Sequence, residues 1–282
     1  MLNESGDPSS LDMRNLKIVL AYDGTDFCGW QVQPDAQSIQ GVLSHAIGRV
    51  TDEKVLPQGS GRTDAGVHAL AQVATFTIKS SIPVENLVKA LNDVLPASIR
   101  ILEVTEKPPD FHARKSARAK IYRYRIYRGA ICSPFLSRYV WHYPYPLNTE
   151  AMARAAAFVI GEHDFTSFAA VDPERASLDR SSLDRSCLDR SSLGPSTDAR
   201  FESNIRKVFD STWTLEDDEL IYTVRGSGFL HHMVRNLVGT FLRVGKGTLQ
   251  PEDIGRILLA RNRSAAGATA PASGLFLVSV EY

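Results

Sequence analysis

Two hydrophobic rhythms take turns along this chain. Leu16-Lys17-Ile18-Val19-Leu20-Ala21-Tyr22 reads as a strand, and it runs into Asp23-Gly24-Thr25-Asp26-Phe27-Cys28-Gly29-Trp30-Gln31, a loop with two glycines and two aromatics. From Ser38, a helix N-cap by its chemistry, the period lengthens. Ile39, Val42, Leu43, Ala46, Ile47 and Val50 then share one side of a predicted helix. Val73 to Ile78 is the next strand. Pro83 opens a helix through Val84, Leu87, Val88 and Leu91, and Ile99 to Val104 closes the half as a strand.

A second half repeats the rhythm. Lys120 to Arg128 is a strand, and Thr149 caps a predicted helix from Glu150 to Ile160. Arg206 to Leu215 and Leu220 to Arg225 are strands joined by the acidic turn Glu216-Asp217-Asp218-Glu219. Phe229 to Val244 and Pro251 to Ala260 are helices, and Leu275 to Val280 is the last strand. The expected fold class is therefore α+β, with two pseudo-symmetric halves at 14–110 and 111–282, helices on one face, and a central cleft suited to binding. Two stretches stand outside this scheme. Residues 1–13 are polar and expected to form a loose tail. From Ala176 a five-residue unit, Ser-Ser-Leu-Asp-Arg and its variants, repeats with a period that fits neither helix nor strand. Residues 172–203 are expected to be a disordered insertion, with a partner-binding arm as the alternative.

Composition narrows the class. With 43% apolar residues in 282, the chain can build a globular core. Lys plus Arg and Asp plus Glu both total 32, so any nucleic-acid affinity must come from where charge sits. Cys28, Cys132 and Cys187 are odd in number and far apart, without zinc or disulfide spacing, which suggests a reducing cytoplasm. No apolar run is long enough to cross a membrane, and no signal-peptide core is present.

The chemistry concentrates at Gly59-Ser60-Gly61-Arg62-Thr63-Asp64-Ala65-Gly66-Val67-His68-Ala69. Three glycines in eight residues let the backbone turn tightly and approach a ligand, and Arg62 and Asp64 project from one bend. A carboxylate on such a loop beside a strand is one way to present a reactive group, although Asp-Ala-Gly is also ordinary turn chemistry. Phe111 to Arg128 carries Arg114, Lys115, Arg118, Lys120, Arg123, Arg125 and Arg128 with no acidic residue. Alternation puts Tyr122 and Tyr124 on one face and Arg123 and Arg125 on the other. Cations for phosphates and rings for bases point to RNA, against a solvated strand with half-buried tyrosines. Tyr124 is expected to be structural.

Gly226 to Asn236 enters the predicted helix at Phe229. Helical spacing sets His231 and Arg235 on one face, and adjacent His231 and His232 would diverge too far to share a metal. Arg235 is the odd residue on an apolar helix. A partly buried guanidinium needs an anion, and Asp64 is the candidate, which would keep that carboxylate ionised. Gly245-Lys246-Gly247-Thr248 does not have phosphate-loop spacing, and no dinucleotide fingerprint is present.

Taken in order, several segments resemble the TruA family of tRNA pseudouridine synthases. They are Tyr22-Asp23-Gly24 with Phe27 to Gln31, Gly61 to His68, Asp110-Phe111-His112-Ala113-Arg114, Tyr122-Arg123-Tyr124, Gly161 to Phe168, and Phe229 to Asn236. The resemblance runs from about Leu16 to the C-terminus and departs only at the five-residue repeat. It implies two α+β halves sharing a mixed or antiparallel sheet, a cytoplasmic homodimer, no cofactor and no metal. Its implied activity is isomerisation of uridine to pseudouridine in the anticodon stem-loop of tRNA, not action on DNA or at a membrane. It implies Asp64 as the catalytic carboxylate, Tyr122 as the ring that stacks on substrate, and Arg62 and Arg235 as basic residues near the acid. Two other readings fit parts of the sequence: a non-catalytic RNA-binding protein using the same strand, and a glycoside hydrolase taking Asp23 or Asp26 as a second carboxylate.

Overall fold

The computed structural model describes residues 13–170 and 203–282. The expected tail, apart from Met13, and the expected insertion at 172–203, apart from Ser203, lie outside the described residues. The strands and α-helices run in the order β1 (Arg14–Tyr22), α1 (Ile39–Thr51), β2 (Gln58–Gly59), β3 (His68–Ile78), α2 (Val84–Val94), β4 (Ile99–Lys107), β5 (Ala119–Tyr127), β6 (Trp141–His142), α3 (Thr149–Ala157), β7 (Gly161–Asp164), β8 (Ile205–Glu216), β9 (Glu219–Gly226), α4 (Met233–Gly245), α5 (Asp253–Ala260) and β10 (Leu275–Glu281). The class is α+β, as the two periodicities predict, and the pairings are both parallel and antiparallel, in line with the mixed sheet that the resemblance implies.

The chain forms two compact units. The first takes residues 1–123, 134–140 and 272–282, and the second takes 124–133 and 141–271. In the first, β1 lies between β4 and β3, antiparallel to both, and β10 runs parallel to β3 with Phe276 opposite His68. Leu16, Ile18 and Leu20 alternate onto the buried side of β1. Ile39, Leu43 and Ile47 of α1 and Leu87 and Leu91 of α2 are fully buried with them. Each such aliphatic contributes about 1.5–3 kcal/mol relative to exposure. Ser38 caps α1 as expected, its Oγ accepting the Gly41 N–H at 3.2 Å.

In the second unit, β8 and β9 form an antiparallel hairpin, β7 pairs with β8, and β6 runs parallel to β5. Asp217 turns the hairpin at φ 51°, where the acidic turn was expected. Several element starts differ from expectation: β3 begins at His68 rather than Val73, and two helices also start elsewhere. Asn148, not Thr149, caps α3, accepting the Ala151 N–H at 2.9 Å, so that helix begins at Thr149 and ends at Ala157. Asn and Thr are both good caps, and chemistry alone did not separate neighbours. Helix α4 begins at Met233 rather than Phe229, because His232 takes the left-handed conformation at φ 58° and breaks the helical path. Among the described residues, no helix is long and apolar enough to cross a membrane.

Candidate active site

The Asp64 loop is built against the loop that follows β1. Gly24 lies so close to Val67 that a Cβ there would collide with the Val67 carbonyl. Gly29, at φ +90°, would place a Cβ 2.6 Å from the Thr63 carbonyl oxygen. Two hydrogen bonds join the loops: Trp30 N–H donates to Thr63 C=O at 3.0 Å and Gly66 N–H to Phe27 C=O at 3.3 Å. Val67 N–H returns to Asp64 C=O at 3.1 Å, and Gly66 at φ +75° allows the turn. Asp64 is half-buried at this bend, between exposed Arg62 and buried Val67.

Beneath the loop lies a buried polar network. Tyr22 Oη and Thr63 Oγ1 are 2.8 Å apart. Gln72 Nε2 donates to Gly61 C=O at 3.0 Å, and its Oε1 accepts Ser60 O–H at 2.7 Å and Val73 N–H at 3.1 Å. Lys120 Nζ donates to Ser60 C=O at 2.6 Å. Burial raises the Tyr22 phenol to about 12. Tyr122, 7% exposed, is raised further, first by burial and then by the nearby Tyr22 and the Asp64 charge. The structure thus brings Asp64 and Tyr122 within electrostatic reach of one another, as a shared site requires.

The basic strand divides as its alternation predicts, with Tyr122 and Tyr124 buried and Arg123 and Arg125 on the other face. Its cations are not all uncompensated, however. Arg125 makes a two-point pair with Glu219, both contacts 2.7 Å, and Lys120 is engaged by the Asp64 loop. Glu219 is 94 residues away in sequence, so a local charge count could not find it. Rings and arginines on opposite faces cannot serve one flat binding surface, which leaves Arg62 as the cation adjacent to the acid in sequence.

In the second unit, Arg235 rises from an α4 whose other residues are mostly buried. Its Nε donates to Ala270 C=O at 2.8 Å, while Tyr124 Oη donates to Pro271 C=O at 2.8 Å. Tyr124 is therefore structural, as expected. Asn236, fully buried, donates to Phe168 C=O at 2.7 Å and accepts from Arg263 at 2.9 Å and from Thr269 at 2.7 Å. The expected shared face of His231 and Arg235 does not exist, since His231 precedes the helix. Nor do the histidines diverge: their rings lie 4.0 Å apart at 33°. Both expectations assumed a helix starting at Phe229.

Asp23 and Asp26 are occupied elsewhere. Arg138 approaches Asp26 at 2.6 Å and Asp23 at 3.3 Å, Tyr139 O–H donates to Asp23 at 3.0 Å, and His68 lies 3.2 Å from it. A second catalytic acid drawn from this pair would have to leave those partners, which counts against glycoside hydrolysis. Gln72 is the site residue that sequence reasoning did not name, and the contacts that draw His68, Lys120, Gly24 and Gly29 into the site were not foreseen.

The site presents a half-exposed carboxylate on a glycine loop over a floor that holds the Tyr22 and Tyr122 phenols. The family model described as tRNA pseudouridine synthase matches residues 18–114 and 155–282, and the chain belongs to this family. Arg62, Asp64 and Arg235 fall inside the matched segments, and Tyr122 lies between them. Among its relatives, the tRNA pseudouridine synthase A of Solibacter usitatus is 48% identical over 270 residues, 96% of this chain and 100% of that protein. Proteins of the same name from Moorella thermoacetica and Halalkalibacterium halodurans are 46% and 41% identical, over 95% and 93% of this chain and 99% and 90% of theirs.

Proposed function

We infer that this chain isomerises uridine to pseudouridine in tRNA, with Asp64 as the catalytic carboxylate. The observation that carries the residue assignment is the half-exposed Asp64 on a braced loop, its charge felt by the buried Tyr122 phenol. The family and its relatives carry the reaction. The C1′–N1 bond breaks, the base turns, and a C1′–C5 bond forms. C5 loses a proton and N1 gains one. The same atoms are rearranged without net oxidation, so the reaction needs no redox cofactor. A carboxylate can assist by adding to C6 of the base, by attacking C1′, or by removing the C2′ proton.

The target is the anticodon stem-loop, where a stacked uridine must first be flipped out at a cost of a few kcal/mol. Tyr122 meets the flipped base, and such stacking contributes roughly 1–3 kcal/mol. Because the ring is largely covered, the contact it offers is a narrow one. Arg62, exposed and two residues before the acid, holds a backbone phosphate. Arg235, a guanidinium on an otherwise buried helix, is a further basic residue for binding the tRNA substrate. The enzyme acts as a homodimer in the cytoplasm.

The test is formation of pseudouridine on unmodified tRNA by wild type and Asp64→Asn. We expect Asp64→Asn to lose at least about a hundredfold to ten-thousandfold in rate, the range for a residue acting on the reacting atoms, with tRNA affinity retained. Undiminished turnover would overturn the assignment.

A further inference from the structure

We propose that Lys120 and Gln72 are positioning residues for the Asp64 carboxylate, acting through the two consecutive carbonyls that precede Arg62. The proposal rests on Asp64 being the catalytic acid. Lys120 Nζ holds Ser60 C=O at 2.6 Å and Gln72 Nε2 holds Gly61 C=O at 3.0 Å. The donors come from different strands, β5 and β3, so the loop is gripped from two directions.

Gln72 is a fully buried amide in the middle of a strand, a position that otherwise favours an apolar side chain. Every polar atom it carries is turned to the loop or its support. Its Oε1 takes Ser60 O–H and Val73 N–H, and its Nε2 faces Gly61 C=O and Tyr22 Oη, the latter at 3.5 Å. Ser60 N–H also donates to Val73 C=O at 2.7 Å. Each of the three successive peptides from Gly59 to Arg62 is therefore held by one hydrogen bond: through Ser60 N–H, Ser60 C=O and Gly61 C=O.

Lys120 adds a charged donor and a wall. A Cβ on Gly61 would lie 2.7 Å from its Nζ, so the ammonium sits close against the loop backbone and would have to shift to admit a larger residue there. Lys120 stands two positions before Tyr122 on the same face of β5. One strand thus sets both the height of the loop and the ring near its acid. Charge-assisted bonds are shorter and stronger than neutral ones, so Lys120 is the stronger of the two grips. Displacement of a reacting group by about 1 Å can cost a hundredfold in rate, and losing either grip frees the loop to move by that much.

Single-turnover pseudouridine formation at saturating enzyme, tRNA affinity and melting temperature are measured for wild type, Asp64→Asn, Lys120→Met, Lys120→Arg and Gln72→Glu. The last replaces the donor facing Gly61 C=O with an acceptor of the same shape. We expect Lys120→Met to slow the chemical step by about 10- to 100-fold with affinity within about twofold, and Lys120→Arg to recover most of that loss. Gln72→Glu should show the same split. If it fails to fold, Lys120→Met decides, because that side chain is only half-buried. Lys120→Met at the wild-type rate, or with its loss confined to affinity, would overturn the proposal. An inactive Asp64→Asn beside a full-rate Lys120→Met removes this proposal alone. An active Asp64→Asn removes the carboxylate assignment and this proposal with it.

Discussion

The imidazole of His68, 1% exposed, accepts the Gly24 N–H on Nδ1 at 3.1 Å and meets Arg138 C=O with Nε2 at 3.0 Å. An acceptor on one nitrogen and a carbonyl on the other fix the neutral ring with its proton on Nε2. Burial lowers its pKa below 6.5, against the opposing pull of the Asp23 carboxylate. The folded value is depressed, so the stability that neutral His68 contributes is present above 6.5 and is lost as pH falls through the lowered folded value. Urea unfolding of wild type and His68→Gln across that range provides the check. The advantage of wild type should be constant above neutrality and shrink on acidification. An advantage that grows instead would mean that the ring is charged in the folded protein. Asp23 adds to the same trend at lower pH. Burial alone would raise it, but hydrogen bonds from Thr25 and Tyr139 and the nearby His68 hold it below 3.8. Its contribution too disappears on acidification. Since His68 holds the Gly24 amide, and Gly24 lies on Val67, acid should loosen the Asp64 loop before the rest of the first unit.

At the scale of elements, the two apposed loops determine where the acid sits. Gly29→Ala would put a methyl group 2.6 Å from the Thr63 carbonyl at φ +90°. A left-handed alanine alone costs about 1–2 kcal/mol, and the collision adds to it. We expect a fall in melting temperature together with a loss of turnover larger than that fall explains, because Thr63 precedes Asp64. Loss of stability with full turnover per folded molecule would show that the loop tolerates the shift. This apposition was hidden in the sequence because it joins residues more than thirty positions apart through backbone contacts that leave no side-chain signature. Local chemistry was legible. Ser38 announced α1, the apolar run of Leu16 to Tyr22 marked β1, and the glycines around Asp64 marked a close backbone approach. Where two local signals competed, the reading slipped: Asn148 beside Thr149, and Phe229-Leu230 continuing an apolar stripe until His232 breaks it. Gln72 was missed because it lies just before the expected strand of Val73 to Ile78, and nothing local in the sequence names its partners.

For the whole molecule, basic and acidic residues balance at 32 each, so a polyanion is not drawn in by net charge. Affinity for tRNA must come from cations that keep their charge available, and the basic strand holds fewer of these than its composition suggests. Arg125 is matched by Glu219 at two contacts of 2.7 Å, and Lys120 is turned to the Ser60 carbonyl. Counterion release gives a way to count the rest. Each phosphate neutralised adds about 0.7–0.9 to the slope of log affinity against log salt. We expect Arg62→Gln to lower that slope by about one such step when tRNA binding is measured from about 50 to 200 mM salt. Arg125→Gln should leave the slope unchanged and instead reduce stability, since it strands Glu219 without its partner. Equal effects of the two substitutions would mean that Arg125 exchanges Glu219 for a phosphate when tRNA arrives, and an unchanged slope for Arg62→Gln would take that residue off the phosphate backbone.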